Sequence, residues 1–201
     1  MRAIDIIVSL VAILSLVPLF ILIAIAIKIE TRGPVFYSSL RAGRGFKVFS
    51  FYKFRTMIIN ADKIIDNLSS LNIYATGAAQ PHFFKIKDDP RITRVGTFLR
   101  NSSLDELPQL FNVLLGDMSI VGNRPLPLYE ATTLTTNEWS ERFMAPAGIT
   151  GLWQISKRGQ AEMRNEERIL LDINYARYRT LKGDLKILIK TPSALIQKAN
   201  V

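Results

Sequence analysis

The longest pattern along the chain is an unbroken apolar one. Residues 6–27 carry no charge, and only Ser9, Ser15 and Pro18 interrupt the apolar positions. A helix of that length spans about 33 Å, which matches a hydrocarbon core of about 30 Å. Ala24-Ile25-Ala26 resembles a signal cleavage site, but the run is longer than a signal's apolar region of about 7–15 residues. Pro18 removes a backbone donor and crowds the Leu14 carbonyl, with Ser15 one turn earlier. Arg2 precedes the run, and Lys28 and Arg32 follow it. Such flanks lack the charge asymmetry of a crossing helix. The pattern predicts a re-entrant membrane helix over residues 1–30, broken at Pro18, with Ser15 satisfying a freed carbonyl. A kinked spanning helix is the alternative.

Beyond residue 30 the periodicity changes. Val35–Ser39 and Phe46–Phe54 are apolar-aromatic runs around a Gly-rich basic loop, which predicts a hairpin. Helical spacing is present over Met57–Leu71, Arg91–Arg100 and Leu104–Leu115, where Gly116 is a helix stop. Residues 72–90 read as irregular, and His82 there, beside Phe83 and Phe84, reads as a loop or membrane-interface residue. Arg124–Pro127 reads as extended or turning, Thr136–Met144 as a polar helix, Pro146–Gly151 as a loop and Asn165–Arg179 as a helix. Leu181–Lys198 interleaves Leu185, Leu188 and Ile189 with Lys182, Lys186 and Lys190. That pattern suits either a basic amphipathic helix on an anionic membrane or a helix packed on the domain. The expected architecture is α+β and mostly helical: a membrane-inserted segment, 1–30, and a catalytic domain, 31–201, with a small β-hairpin and interfacial amphipathic helices.

Charge sharpens this division. The chain has 201 residues, 26 Lys and Arg against 17 Asp and Glu, and a formal net charge of +9. The charges of residues 1–30 cancel, so the whole excess sits on the domain. There is no cysteine, which excludes disulfides, thiolate metal sites and a cysteine nucleophile. A single histidine excludes a multi-histidine metal site.

The chemistry-bearing stretch is Arg100-Asn101-Ser102-Ser103-Leu104-Asp105-Glu106-Leu107-Pro108. Locally, Ser103 with Glu106 fits a capping box, and acidic residues suit a first helical turn. Pro108 favours a helix that begins at itself instead. In either case Asp105 and Glu106 sit at an element end and point apart, which suits separate tasks better than a shared proton.

SLDELPQLFNVLLGDMSIVGNRP, followed through the chain by GITGLWQ and LLDINYARY and preceded by FYKFRTM and DDPRITRVGTFLR, resembles the bacterial sugar transferases. These are the monotopic phosphoglycosyl transferases, whose re-entrant helix the Pro18 segment also resembles. The resemblance implies transfer of a sugar phosphate from a nucleotide diphosphate sugar, commonly a UDP-sugar, to undecaprenyl phosphate, releasing UMP. It implies Asp105 as the nucleophile, through an aspartyl-phosphosugar intermediate, and Glu106 as a residue linked to Mg²⁺. Arg124 resembles the family's Arg-Pro phosphate contact, and Arg100, Lys53 and Arg55 are further candidates for the phosphates. Asp172 matches an acidic position whose alternative is a helix-surface carboxylate. The implied partners are undecaprenyl phosphate, the nucleotide sugar and the lipid bilayer, with no nucleic acid. The implied location is the bacterial cytoplasmic membrane, with the domain on its cytoplasmic face.

Two departures stand out. Asn123-Arg124-Pro125 replaces the family's Pro-Arg-Pro, and Pro146 stands where the family commonly has an Arg. Arg142, Lys157 or Arg158 is the expected substitute. The competing readings are a non-catalytic basic membrane-surface binder, which the net charge permits, and a glycosyltransferase that releases UDP.

Overall fold

The computed structural model describes residues 1–61, 89–133, 139–157 and 165–195. It is an α+β arrangement, mostly helical, with a long apolar helix laid along one side. That helix, α1, runs Arg2–Glu30 and is long and apolar enough to cross a membrane by length and composition. The break expected at Pro18 is not present: the helical run continues through it. A proline deprives a helix of one hydrogen bond, and intact neighbouring turns can carry the run past it. The Ser15 hydroxyl donates to the Ala12 carbonyl at 3.0 Å, not to that of Leu14.

One face of α1 docks on the domain along its length. Asp5, Ser9, Ile23 and Ile27 are buried, spaced at helical intervals. Arg2 donates to the carbonyls of Val113 and Leu114. The Asp5 carboxylate accepts from Ser119 Oγ and the Ile120 N–H at 3.0 Å. At the other end the Glu30 carboxylate accepts from the N–H groups of Arg94 and Val95. Those are orphan donors of a helix start. The opposite face, including Val11, Leu14, Leu22 and Ile29, is exposed and apolar.

The predicted hairpin is present as β1, Phe36–Ala42, and β2, Val48–Phe54, paired antiparallel from Phe36–Phe54 to Ala42–Val48. The expected helix from Met57 is not seen in the described residues. Met57 instead bridges Ile92, the Ile58 N–H bonds the Arg91 carbonyl, and Asn60 turns the chain at φ 60°. The rest of that expected helix, and His82, lie outside the described residues.

Helix α2, Arg94–Asn101, is capped by Thr93 Oγ1, which accepts from the Gly96 N–H. A 3₁₀ turn, Leu104–Glu106, leads to α3, Gln109–Leu115, which ends at Gly116 in the left-handed region at φ 92°. Strand β3, Ser119–Val121, pairs in parallel with β5, Gly148–Thr150. Pro146–Gly151 was expected to be loop throughout, but a three-residue strand carries too little pattern to read. Strand β4, Leu126–Pro127, adds to the Arg41–Ala42 end of β1 and leads into α4, Leu128–Thr133. A 3₁₀ turn, Ser140–Met144, occupies the described part of the expected polar helix. Helix α5, Leu152–Lys157, α6, Asn165–Tyr178, and α7, Leu181–Leu195, complete the domain.

The core is distributed among these layers. Phe49 and Phe51 of β2 pack on Val113, Met118 and Ala147. Ile23 and Ile27 of α1 pack on Phe54 and Leu99. Helix α7 buries Ile187 against Val121 and Tyr175 while leaving Leu181, Leu185 and Ile189 exposed.

Candidate active site

The local chain around the acidic pair departs from the capping-box reading and agrees with a helix that starts at Pro108. Ser103 occupies the left-handed region at φ 57°, ψ 15°, and makes no capping hydrogen bond. A non-glycine residue there is uncommon and costs conformational energy. Its consequence is a 3₁₀ turn in which successive side chains project about 120° apart. Pro108 then precedes α3 directly.

Lys53, from the end of β2, enters between the two carboxylates. Its Nζ lies 3.1 Å from Asp105 Oδ2 and 2.8 Å from Glu106 Oε1. Asp105 is the more enclosed, with 8% of its side chain exposed. Arg124 Nη1 reaches Glu106 Oε1 at 3.5 Å. Two adjacent carboxylates repel, and an ammonium at contact distance contributes a gross attraction of about 4 kcal/mol per pair at an effective dielectric of 20. Lys53 therefore makes it possible to hold both anions on one short turn.

The scaffold fixes this meeting. Asn112 of α3 accepts the Tyr52 N–H at 3.0 Å and donates to the Ser50 carbonyl at 2.6 Å. One buried amide thus ties β2, which carries Lys53, to the helix that follows Asp105. On the other side, α2 approaches Thr56 so closely that a Cβ on Gly96 would lie 2.0 Å from the Thr56 carbonyl oxygen. That approach lets Arg100 Nε donate to Thr56 Oγ1 at 3.0 Å. Burial pulls the Arg100 guanidinium below the usual arginine range, against the opposing charges of Asp105 and Asp89. Asp89 itself grips Arg91 with both oxygens.

Not every expected residue joins this group. Arg55 donates to the Thr31 and Arg32 carbonyls and to Thr31 Oγ1. It pins the exit of α1 to β2, so the described contacts make it a structural arginine. Asp172 is completely buried in an ion pair with Arg142. Burial raises its pKa to about 6, although Arg142, Arg168 and Arg124 all oppose that shift. Arg142 is therefore already committed beneath the site, and Asp172 is not a helix-surface carboxylate. Asn123 donates to the carbonyls of both Arg142 and Asp172, which anchors the backbone just before Arg124. Arg158 lies outside the described residues, as does the side chain of Lys157.

Sequence reasoning missed Asn112, Thr56 and the Arg142–Asp172 pair. Their functions arise from contacts between remote segments, and no local spacing marks them.

With this geometry in view, comparison with known proteins is direct. The family model described as "Bacterial sugar transferase" matches residues 1–198, and the chain belongs to that family. It is 39% identical over 197 residues to the "Undecaprenyl-phosphate galactose phosphotransferase" of Salmonella typhimurium, covering 98% of this chain and 40% of that one. It is 39% identical over 192 residues to the "UDP-glucose:undecaprenyl-phosphate glucose-1-phosphate transferase" of Xanthomonas campestris pv. campestris, covering 93% and 37%. It is 38% identical over 199 residues to the "Exopolysaccharide production protein ExoY" of Sinorhizobium fredii, covering 96% and 84%. The chain thus spans about two-fifths of the first two relatives and most of the third.

Proposed function

We propose that this chain transfers a sugar 1-phosphate from a UDP-sugar to undecaprenyl phosphate, releasing UMP, as an early membrane step in a bacterial surface glycan. The observation that carries the reading is the enclosed Asp105 carboxylate held by Lys53 beside Glu106. The names of the relatives support the substrate classes.

The reaction divides into two displacements. An Asp105 oxygen attacks the sugar-bound phosphorus. The phosphoanhydride bond breaks, and its electron pair leaves on UMP. An oxygen of polyprenyl phosphate then attacks the same phosphorus, and the bond to Asp105 breaks to restore the carboxylate. Lys53 orients Asp105 and offsets its charge as the anionic diphosphate arrives. Arg124, beside Glu106, and Arg100, within the field of Asp105, supply fixed positive charge that stabilises phosphate oxygens without reorganising.

The acidic pair also fits Mg²⁺. Asp105 and Glu106 are adjacent carboxylates that meet at the Lys53 ammonium. Mg²⁺ commonly takes one or two carboxylates and completes its shell with water and substrate phosphates. When bound, it supplies Lewis-acid charge to the diphosphate. Glu106 is the residue assigned to hold it.

For topology we infer that α1 lies in the bilayer with both of its ends on the face on which the domain sits. Arg2 and Glu30, at opposite ends of the helix, both contact the same domain. A helix crossing about 30 Å of hydrocarbon would carry Arg2 away from Leu114. The exposed Leu181, Leu185 and Ile189 of α7, flanked by Lys182, Lys186 and Lys190, support a second, interfacial contact. A nucleotide-sugar donor, being made in the cytoplasm, supports a domain on the cytoplasmic face of the membrane.

Product analysis tests the reading. Membranes containing the chain, supplied with Mg²⁺, undecaprenyl phosphate and labelled UDP-glucose or UDP-galactose in turn, should yield UMP and a lipid-linked sugar diphosphate. UDP as the nucleotide product would identify an ordinary glycosyltransferase, and no product from a broad panel of UDP-sugars would favour a binding protein.

A further inference from the structure

A second group of cations stands beside the carboxylate pair. Arg41, near the end of β1, and Lys53 lie over the same Phe51 ring, their charged groups 5.2 and 5.8 Å from its centroid. Arg124 reaches from this place to Glu106. Arg168 of α6 lies across the Trp153 ring at 4.8 Å. The Nε atoms of Arg41 and Arg168 are both buried and have no hydrogen-bond partner among the described residues. A buried guanidinium donor left unpaired is costly, and more so beside like charges.

The acids nearby do not resolve this. Asp172 is taken by Arg142. Among the described residues, Glu130 is the other buried carboxylate whose charge reaches Arg41 and Arg168, and it also accepts from the Tyr129 hydroxyl at 3.3 Å. Burial and the neighbouring charges of Arg124 and Arg142 push the Arg168 guanidinium down to about 10, although Asp172 and Glu130 oppose them. Burial and Arg124 likewise lower Arg41. The arrangement places two further buried guanidinium groups, Arg41 and Arg168, within the field of Arg124.

We propose that Arg41, Arg124 and Arg168 form a phosphate subsite beside Asp105 that holds the phosphate leaving with the nucleotide. This rests on the transfer reaction proposed above and names the residues that receive its leaving group. Guanidinium groups bind phosphate through paired donors, and the vacant Nε–H groups are of the kind such a fork uses. The same chemistry would suit the phosphate of the lipid, but the position favours the nucleotide. Helix α1 packs chiefly on α2, α3 and β3. The arginines come instead from the β4 end of β1, the segment after Asn123, and α6. They approach the carboxylate pair from elements other than those that seat the membrane helix.

Steady-state kinetics on the whole chain in lipid nanodiscs tests this. Arg41→Gln and Arg168→Gln should each raise the UMP product-inhibition constant about tenfold or more while the KM for undecaprenyl phosphate stays within roughly twofold. Arg168→Lys should recover part of the loss, because charge returns without the fork. A general packing defect would instead affect both substrates. If Arg168→Gln does not fold, Arg41→Gln carries the comparison. Unchanged UMP inhibition in a folded Arg41→Gln, or a rise confined to the lipid KM, overturns the subsite and leaves the reaction standing. A parent chain that releases UDP and is not inhibited by UMP overturns both.

Discussion

Lys53 lies 3.1 Å from the Asp105 carboxylate across 52 positions of sequence. The strand that supplies the lysine and the turn that supplies the carboxylate are separate elements, joined through the Asn112 amide. The proposed nucleophile therefore depends on the hairpin as much as on its own motif.

Asp105→Asn should lower turnover about a thousandfold or more while leaving the chain folded and membrane-bound. The amide keeps the shape but supplies no anionic nucleophile, and Lys53 retains Glu106 as a partner. UMP release by the purified variant, beside its thermal unfolding, provides the check. Activity within about tenfold of the parent would remove Asp105 from the nucleophile's role.

Glu106→Gln should also be severe, and its residual activity should respond less to Mg²⁺. The charge at Oε1 is lost, while hydrogen bonding to Lys53 and Arg124 is partly kept. A Mg²⁺ titration of residual activity reads this directly. A curve identical to the parent's contradicts the metal assignment.

Several parts of this picture were legible beforehand, and the reasons differ. The apolar-aromatic runs Val35–Ser39 and Phe46–Phe54 around a Gly-rich loop read as the hairpin that is present, and Gly116 stops α3 in the conformation that glycine accepts most readily. The SLDEL motif pointed to Asp105 and Glu106, and the fold gathers both carboxylates around Lys53. Ser103 misled, because its match to a capping box is local while its left-handed backbone is set by the packing around it. Arg55 lies in the FYKFRTM motif near Lys53, and its described contacts are with Thr31 and Arg32 at the α1 exit. Asp5 entered the sequence reading only through the charge balance of residues 1–30, whereas the fold buries it against β3. Arg41 and Arg168 are 127 positions apart, and only the tertiary fold brings each of them near Arg124.

The Arg142–Asp172 pair should show the asymmetry of a buried ion pair. Arg142→Met leaves Asp172 uncompensated and should cost about 3–5 kcal/mol. Adding Asp172→Asn should restore much of that loss. Asp172 also sets a pH trend. Its folded pKa, about 6, is raised above the ordinary 3.8, so the folded state binds the extra proton. Its contribution is therefore fully present below pH 3.8 and is lost as pH rises through about 6. Thermal unfolding in detergent should show that the decline in Tm over this window is smaller in Asp172→Asn. An identical slope in parent and variant would contradict it.

Topology can be read by labelling, since the chain has no cysteine of its own. Single cysteines at Ala3 and Arg44, both exposed, should be protected from an impermeant maleimide in intact spheroplasts and labelled after lysis. Gly33 is unsuitable, because a Cβ there would lie 2.3 Å from Arg55 Nη1. Replacing Arg2 and Asp5 together with leucine removes the anchors to α3 and β3, and should release the amino end to the other side in part of the population. Labelling of the Ala3 site alone in intact cells, with both anchors present, would mean that α1 crosses.

The central claim is a covalent sugar phosphate on Asp105, and intact-protein mass spectrometry tests it most directly. The chain is incubated with Mg²⁺ and the UDP-sugar that supports turnover, without polyprenyl phosphate. The account predicts a gain of one sugar phosphate, located at Asp105, with UMP released in equal amount. The adduct should disappear when undecaprenyl phosphate is added and should not form in Asp105→Asn. UMP release that requires both substrates together, with no adduct at any time, would contradict the account.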